Sequence, residues 1–177
     1  MPVMPLGMAC VARAVQAAGH SVKTLNLMTP ADSQQLVMKT VCSFSPEVIG
    51  ISVRNIDDQS ATQTRFLLDG VKPVVAACRQ SSDSPVILGG AGFSIFPRSV
   101  LSYLGADMGI QGEGEGIFPE LLSYLERGDT VPDLPGLYFS DGRPARPFAV
   151  HKILDDYRLP VPDPALSTHP GFDVHNI

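Results

Sequence analysis

Apolar positions along this chain switch repeatedly between a helical period and short continuous runs. Met8, Val11, Ala12, Val15 and Ala18 share one helical face, with Arg13 and Gln16 opposite and Gly19 placed to end the helix, which predicts a helix over about Leu6 to Ala18. A strand is expected at about Ser21 to Leu27. Thr29, Pro30, Ala31 and Asp32 then offer an N-cap, a proline at the first helical position and an acid at N3, predicting a second helix from about Pro30 to Thr40. Val48 to Val53 is nearly all apolar, the pattern of a strand covered on both faces. Ser60 to Gln63 can close a capping box ahead of Leu67, Val71, Val74, Val75 and Cys78 at helical spacing.

The same beat repeats twice more. Val86 to Leu88 reads as a buried strand ending in Gly89 and Gly90, and Pro97 opens a helix through Leu104. Met108 to Gln111 reads as another strand, followed by Gly112 to Gly116 and the amphipathic run Ile117, Phe118, Leu121, Leu122, Leu125. Gly136 to Gly142 looks like a small strand and turn, and six prolines between Pro144 and Ile177 describe an extended segment. Strands alternating with helices imply right-handed crossovers and an α/β fold with a doubly wound, mostly parallel sheet, flavodoxin-like or Rossmann-like. Residues 1–140 are expected to form this domain and residues 141–177 an extended C-terminal linker. In such sheets ligands bind outside the carboxyl ends of the strands, so the loops after Val53, Leu88 and Gln111 are the place to look.

Composition narrows the partners. The formal charge is -5, with the basic residues scattered, so no stripe for a nucleic-acid backbone is visible and no nucleic-acid partner is expected. The longest uncharged stretch, Ser84 to Pro97, is too short for a bilayer and is broken by glycine and proline, so no membrane span is expected. Met1 to Ala12 lacks a basic n-region and Arg13 interrupts the apolar run, which points to a cytoplasmic protein without a secretory signal. Cys10, Cys42 and Cys78 form no C-x-x-C pair, so no zinc or iron-sulfur site arises from local spacing, and buried inert thiols are expected.

The candidate chemistry lies in the loops. Gly89, Gly90 and Gly92, and Gly112 and Gly114, allow close approach of a bound group, but neither run fits a dinucleotide fingerprint, and no P-loop occurs. Ser52, Val53, Arg54 and Asn55 carry a buried strand straight into polar side chains, which can serve a ligand or, through Asp57, Asp58 or Ser60, cap the following helix. Glu113 and Glu115 read as helix N-terminal acids before they read as paired carboxylates. His20, His151, His169 and His175 have no partner at metal-ligand or triad spacing. No catalytic residue and no metal ligand is assigned to this chain.

Pro5-Leu6-Gly7-Met8-Ala9, Ala17 to Val22, Gly50-Ile51-Ser52-Val53-Arg54-Asn55, Gly89-Gly90 with Pro97, and Gly112 to Glu115 resemble, in order, the N-terminal cobalamin-binding domain of cobalamin-dependent radical SAM enzymes. The similarity covers about Met4 to Phe139, and Leu154-Asp155-Asp156 with Leu159-Pro160 looks like the linker before that family's radical SAM barrel. The resemblance implies a corrinoid on the carboxyl edge of the sheet, held by Pro5, Leu6, Ser52, Val53, Arg54, Asn55, Gly89, Gly90, Gly92, Phe93, Gly112, Glu113 and Gly114, with its nucleotide tail entering beside Gly89 and Gly90. Other cobalamin domains take an axial His from Asp-x-His-x-x-Gly; here that loop is Val3 to Gly7, so the resemblance implies base-off cobalt without a protein imidazole. It also implies a radical SAM barrel in cis beyond Ile177, holding an iron-sulfur cluster and S-adenosylmethionine outside this chain. Methyl transfer from methylcobalamin to a substrate radical would belong to that larger protein. The family has a hydrophobic strand ahead of Pro-Leu-Gly, and with four residues before Pro5 the sheet is expected to be truncated there or to lack that strand.

Two other readings stand beside it: a cofactor-free docking domain, favoured if Phe93 or Arg54 plugs the tail slot, and a flavodoxin-like domain for another small cofactor. Under the cobalamin reading, Gly90→Leu is expected to abolish corrinoid retention with the fold intact.

Overall fold

Four short strands in chain order make the sheet. The computed structural model describes residues 5–27, 32–58, 60 and 62–148. Strands β1 (Ile49–Ser52), β2 (Val86–Gly89) and β3 (Met108–Ile110) run parallel, and β4 (Leu137–Phe139) adds an antiparallel edge next to β3. The register pairs Ser52 with Gly89 and Leu88 with Gly109. The three parallel strands lie where the apolar runs predicted them.

Helices cover both faces. On one side α2 (Ser33–Phe44), α3 (Leu68–Ser81), the short α4 (Ala91–Ile95) and α5 (Pro97–Leu104) bury Val37, Val75, Val100 and Leu101 against Val86 and Leu88. On the other, α6 (Gly114–Arg127) packs Leu121 against Ile87, Met108 and Ile110, and α1 (Leu6–Ala17) lies beside α6. Strand side chains alternate between the two cores, so β2 sends Val86 and Leu88 one way and Ile87 the other.

The helix ends follow their sequence signals unevenly. Gly19 ends α1 as expected, with its N–H and that of His20 returning to the carbonyls of Gln16 and Val15. The second helix is shifted toward the C-terminus. Asp32, expected inside the first turn, is itself the N-cap and accepts from the Gln35 N–H at 3.0 Å; Thr29, Pro30 and Ala31 lie outside the described residues. The capping box expected at Ser60 to Gln63 does not start α3, which begins only at Leu68. Asp58 instead folds this stretch into a loop, its carboxylate accepting from the Arg65 and Ser60 N–H groups, which hold its pKa below the usual carboxylate value.

Residues 21–27, expected as a strand, do not join the sheet. An extended run becomes a strand only where a neighbour completes its ladder, and among the described residues β1 has β2 as its one strand neighbour. Leu25 and Leu27 nevertheless pack on the core of the α2/α3 side. Two of the three thiols are buried, and burial pushes the Cys78 thiol up, so it stays protonated. Cys42 departs from the expectation of a buried thiol: one residue past buried Val41, it turns about 100° around α2 and is exposed.

At the amino end of the sheet Asp107 works as a clamp. It accepts from the Val86 N–H at 2.7 Å and from Arg79 at 3.0 Å, and Arg79 also donates to the Gly105 carbonyl. Asp107→Ala is expected to cost about 1 to 3 kcal/mol, because the Val86 N–H at the mouth of β2 loses its acceptor. Urea unfolding of both chains checks this; equal midpoints would count against the clamp.

Candidate functional site

The polypeptide leaves β1, β2 and β3 at one edge, and hydrogen bonds draw the three loops together. The Val53 N–H donates to the Gly89 carbonyl at 2.7 Å, and the Gly92 N–H donates to the Val53 carbonyl at 2.9 Å. The Gly112 N–H donates to Ser94 Oγ at 3.0 Å. Ser52 to Asn55, Gly89 to Gly92 and the start of the Gly112 loop therefore form one edge, as the strand order required.

The glycines divide by what surrounds them. Gly90 has φ +94°, and a Cβ there would lie 2.6 Å from the Val53 carbonyl oxygen and 2.9 Å from Ser52 Oγ. A Cβ on Gly92 would lie 3.0 Å from the backbone of Arg54 and Asn55. Both let one loop close on the next, so Gly90→Leu would strain the backbone itself; the expectation that this variant keeps its fold is corrected. Gly89 differs. Its Cβ would meet nothing nearer than the Ile110 carbonyl at 3.8 Å, and its register partner Ser52 is exposed on the same face of the sheet, the α6 side. A Cβ is therefore accommodated on Gly89, on the face where Ser52 is exposed, and not on Gly90 against Val53.

Phe93 lies elsewhere. It is fully buried on the opposite face, edge-on to Tyr138 and filling the space left by the missing side chain of Gly109. It plugs no slot on the Gly89 side. Arg54 and Asn55 are exposed at the rim, and Val53 is buried. Glu113 is the N-cap residue of α6 and Glu115 sits in its first turn, where an acid complements the helix dipole. Gly114 closes α6 onto α1, its Cβ position lying 2.9 Å from Val11. Pro5 and Leu6 open α1, and that helix contact is what relates them to the edge.

Sequence reasoning missed a second ring of groups. Ser94, Gln111 and Tyr138 link the loops behind the glycines, and Phe148 lies over Gly112 and Gly136, 2.6 and 2.8 Å from where their Cβ atoms would stand. The only signals were a lone serine among Phe93, Ile95 and Phe96, and a glutamine ending an apolar strand. Residues 141–148, expected as linker, fold back on the domain. Arg98 donates to the carbonyls of Gly142 and Arg143, and the Gly136 N–H donates to the Arg146 carbonyl. On the α5 side Phe66, Ile95, Phe96 and Tyr103 remain exposed, with Phe96 at 60%. Among the described residues no cluster of His, Cys, Asp or Glu could hold a metal ion, and no helix is long and apolar enough to cross a membrane. His151, His169 and His175 lie outside the described residues.

Comparison with known proteins gives consistent matches. The profile of a family described as "B12 binding domain" matches residues 1–122. The tryptophan 2-C-methyltransferase of Streptomyces laurentii is 30% identical over 144 residues, which is 80% of this chain and 24% of that protein. The structure resembles TsrM, a radical S-adenosylmethionine methyltransferase from Kitasatospora setae. With cobalamin and a 4Fe-4S cluster bound, that protein matches at a TM-score of 0.78 and 28% identity over 86% of this chain and 27% of that one. With tryptophan and a SAM analog bound, it matches at 0.77 and 28% over 82% and 28%. The chain thus spans about a quarter of the relatives it matches.

Proposed function

The chain belongs to the B12-binding domain family, and from that premise we propose that it is the cobalamin-binding module of a longer radical SAM enzyme, probed best at the strand end formed by Gly89 and Ser52. The Gly89 edge supports the reading: a strand end without a Cβ, with an exposed serine in register on the α6 face, accepts added volume where Gly90 and Gly92 meet backbone, and a nucleotide tail would enter there. Ser52, Gly89 and Glu113 would line that tail, Arg54 and Asn55 would meet polar groups of the corrin rim, and Pro5 and Leu6 would flank it from α1, while Gly112, under Phe148, and Gly114, against Val11, would hold their loop close to its neighbours. Arg54 presents a planar fork of donors suited to a phosphate or amide oxygen. Gly90, Gly92 and Phe93 would act indirectly, by fixing the loops. When bound, cobalamin would supply a cobalt centre able to carry a methyl group.

Of the two side chains that could plug the slot in the docking-domain reading, Phe93 is excluded, since it is buried on the opposite face, and Arg54 is exposed at the rim. A radical SAM domain in cis fits the length of the relatives and the exposed apolar flank at Phe66, Ile95 and Phe96, because such flanks mark places where another domain packs. On this proposal residues 1–140 are the cofactor unit, with 141–148 strapped onto it, and the chain after Phe148 leads toward the catalytic domain, which would bring its own iron-sulfur cluster and S-adenosylmethionine.

The test is direct. The purified chain is mixed with hydroxocobalamin and desalted; retained visible absorption is expected, and a colourless protein fraction would overturn the proposal. His20 follows the end of α1 with its N–H engaged by Val15, and His20→Ala is expected to leave the corrinoid spectrum unchanged. A shifted cobalt band in that variant would identify His20 as an axial ligand.

A further inference from the structure

We propose that Ser94 and Gln111 are positioning residues of this site, holding the loops after β2 and β3 in the one relative arrangement that admits the nucleotide tail; the inference rests on the cobalamin-binding reading above. Ser94 Oγ donates to the Gly90 carbonyl at 2.9 Å and accepts from the Gly112 N–H at 3.0 Å, so a single hydroxyl bridges the backbones of both glycine loops. Gln111 extends the bridge. Its Nε2 donates to the Ser94 carbonyl at 3.0 Å, its Oε1 accepts from the Tyr138 hydroxyl at 2.9 Å, and its backbone N–H donates to Gly136 at 2.8 Å. The chain of bonds from Gly90 through Ser94 and Gln111 to Tyr138 crosses from the end of β2 to β4.

These loops need such an anchor. A glycine has the widest choice of backbone conformations, so Gly89 to Gly92 and Gly112 to Gly114 carry little of their own geometry. Here the restraint comes from side chains. The groups are half-buried, where water substitutes poorly for a lost partner. Because α6 begins two residues after Gly112, the Ser94 hydroxyl also sets where that helix starts, and with it the Gly114 contact to α1. Ser94 and Gln111 need not touch the cofactor to do this.

The full chain carrying Ser94→Ala tests the assignment against wild type and Ser94→Thr. Amide hydrogen exchange at Gly112 is expected to quicken about tenfold in Ser94→Ala, since that N–H loses its acceptor. Affinity for hydroxocobalamin is expected to fall about tenfold, while affinity for cobinamide, which lacks the nucleotide tail, stays within about twofold. Ser94→Thr keeps the hydroxyl and should remain within about threefold of wild type for both. An unchanged hydroxocobalamin affinity, or equal losses for the two corrinoids, would overturn the positioning role alone. A wild-type chain that retains neither corrinoid would overturn the binding reading and this role with it.

Discussion

Gly109→Ala is expected to destabilise the domain by at least about 3 kcal/mol, the upper end for an overpacked core. A Cβ at this position would lie 2.1 Å from Cζ of Phe93 and 2.7 Å from Cε2, and Phe93 is fully enclosed. The ring has nowhere to retreat: Tyr138 stands edge-on to it and Leu88 and Leu101 belong to the same core. Against a net stability of about 5 to 15 kcal/mol this is a large fraction of the whole. The cause can be isolated with Phe93→Leu. If the clash is with the ring, Gly109→Ala and Phe93→Leu together should be less destabilising than the sum of the two, by about 1 to 2 kcal/mol in a double-mutant cycle read by urea unfolding. Additive losses would mean that the ring and the glycine do not constrain one another.

Gly89→Leu should have the opposite profile: fold kept, cofactor lost. Its Cβ would make an ordinary van der Waals contact with the Ile110 carbonyl, 3.8 Å away, on the face where Ser52 is exposed, so unfolding should shift by no more than about 1 kcal/mol. Corrinoid retention after desalting should fall at least about tenfold, since a filled slot cannot take the tail. Gly70→Ala, on α3 and in open space, is the matched control and should leave retention unchanged. Gly90→Leu cannot serve in its place, because loss of retention there would report the broken contact with Val53. Full uptake by Gly89→Leu would move the tail away from this edge.

The contrast between Gly89 and Gly90 shows where a sequence stops speaking. The glycine pair was visible, and so was its place at a strand end, but identical neighbours carry different duties because one Cβ direction meets backbone and the other meets space. Val86 to Leu88 and Met108 to Gln111 could be read because short continuous apolar runs bounded by glycine suit strands covered on both faces, and β2 and β3 are. Val48 to Val53 gave the same signal and is a strand, but β1 is half-buried on one face only, with Gly50 and Ser52 exposed on the other. Ser21 to Leu27, which mixes Lys23 and Asn26 with Val22, Leu25 and Leu27, was expected as a strand and forms none in the described sheet, since pairing is a property of two segments and the run describes one. Asp32 was recognised as an acid at a helix start and misplaced by a turn, the usual cost of competing caps a few residues apart. Phe93 and Gly109 are far apart in sequence and make sense only together. Ser94 and Gln111 carried no periodic signal at all, because a hydrogen bond between loops depends on where the loops go.

Arg98 holds the Gly142 and Arg143 carbonyls, and Phe148 covers Gly112. The eight residues 141–148 are therefore held against the domain, and at Phe148 the chain lies at the sheet's carboxyl edge beside Gly112. Any group bound over the Gly112 loop would share that edge with the Phe148 ring.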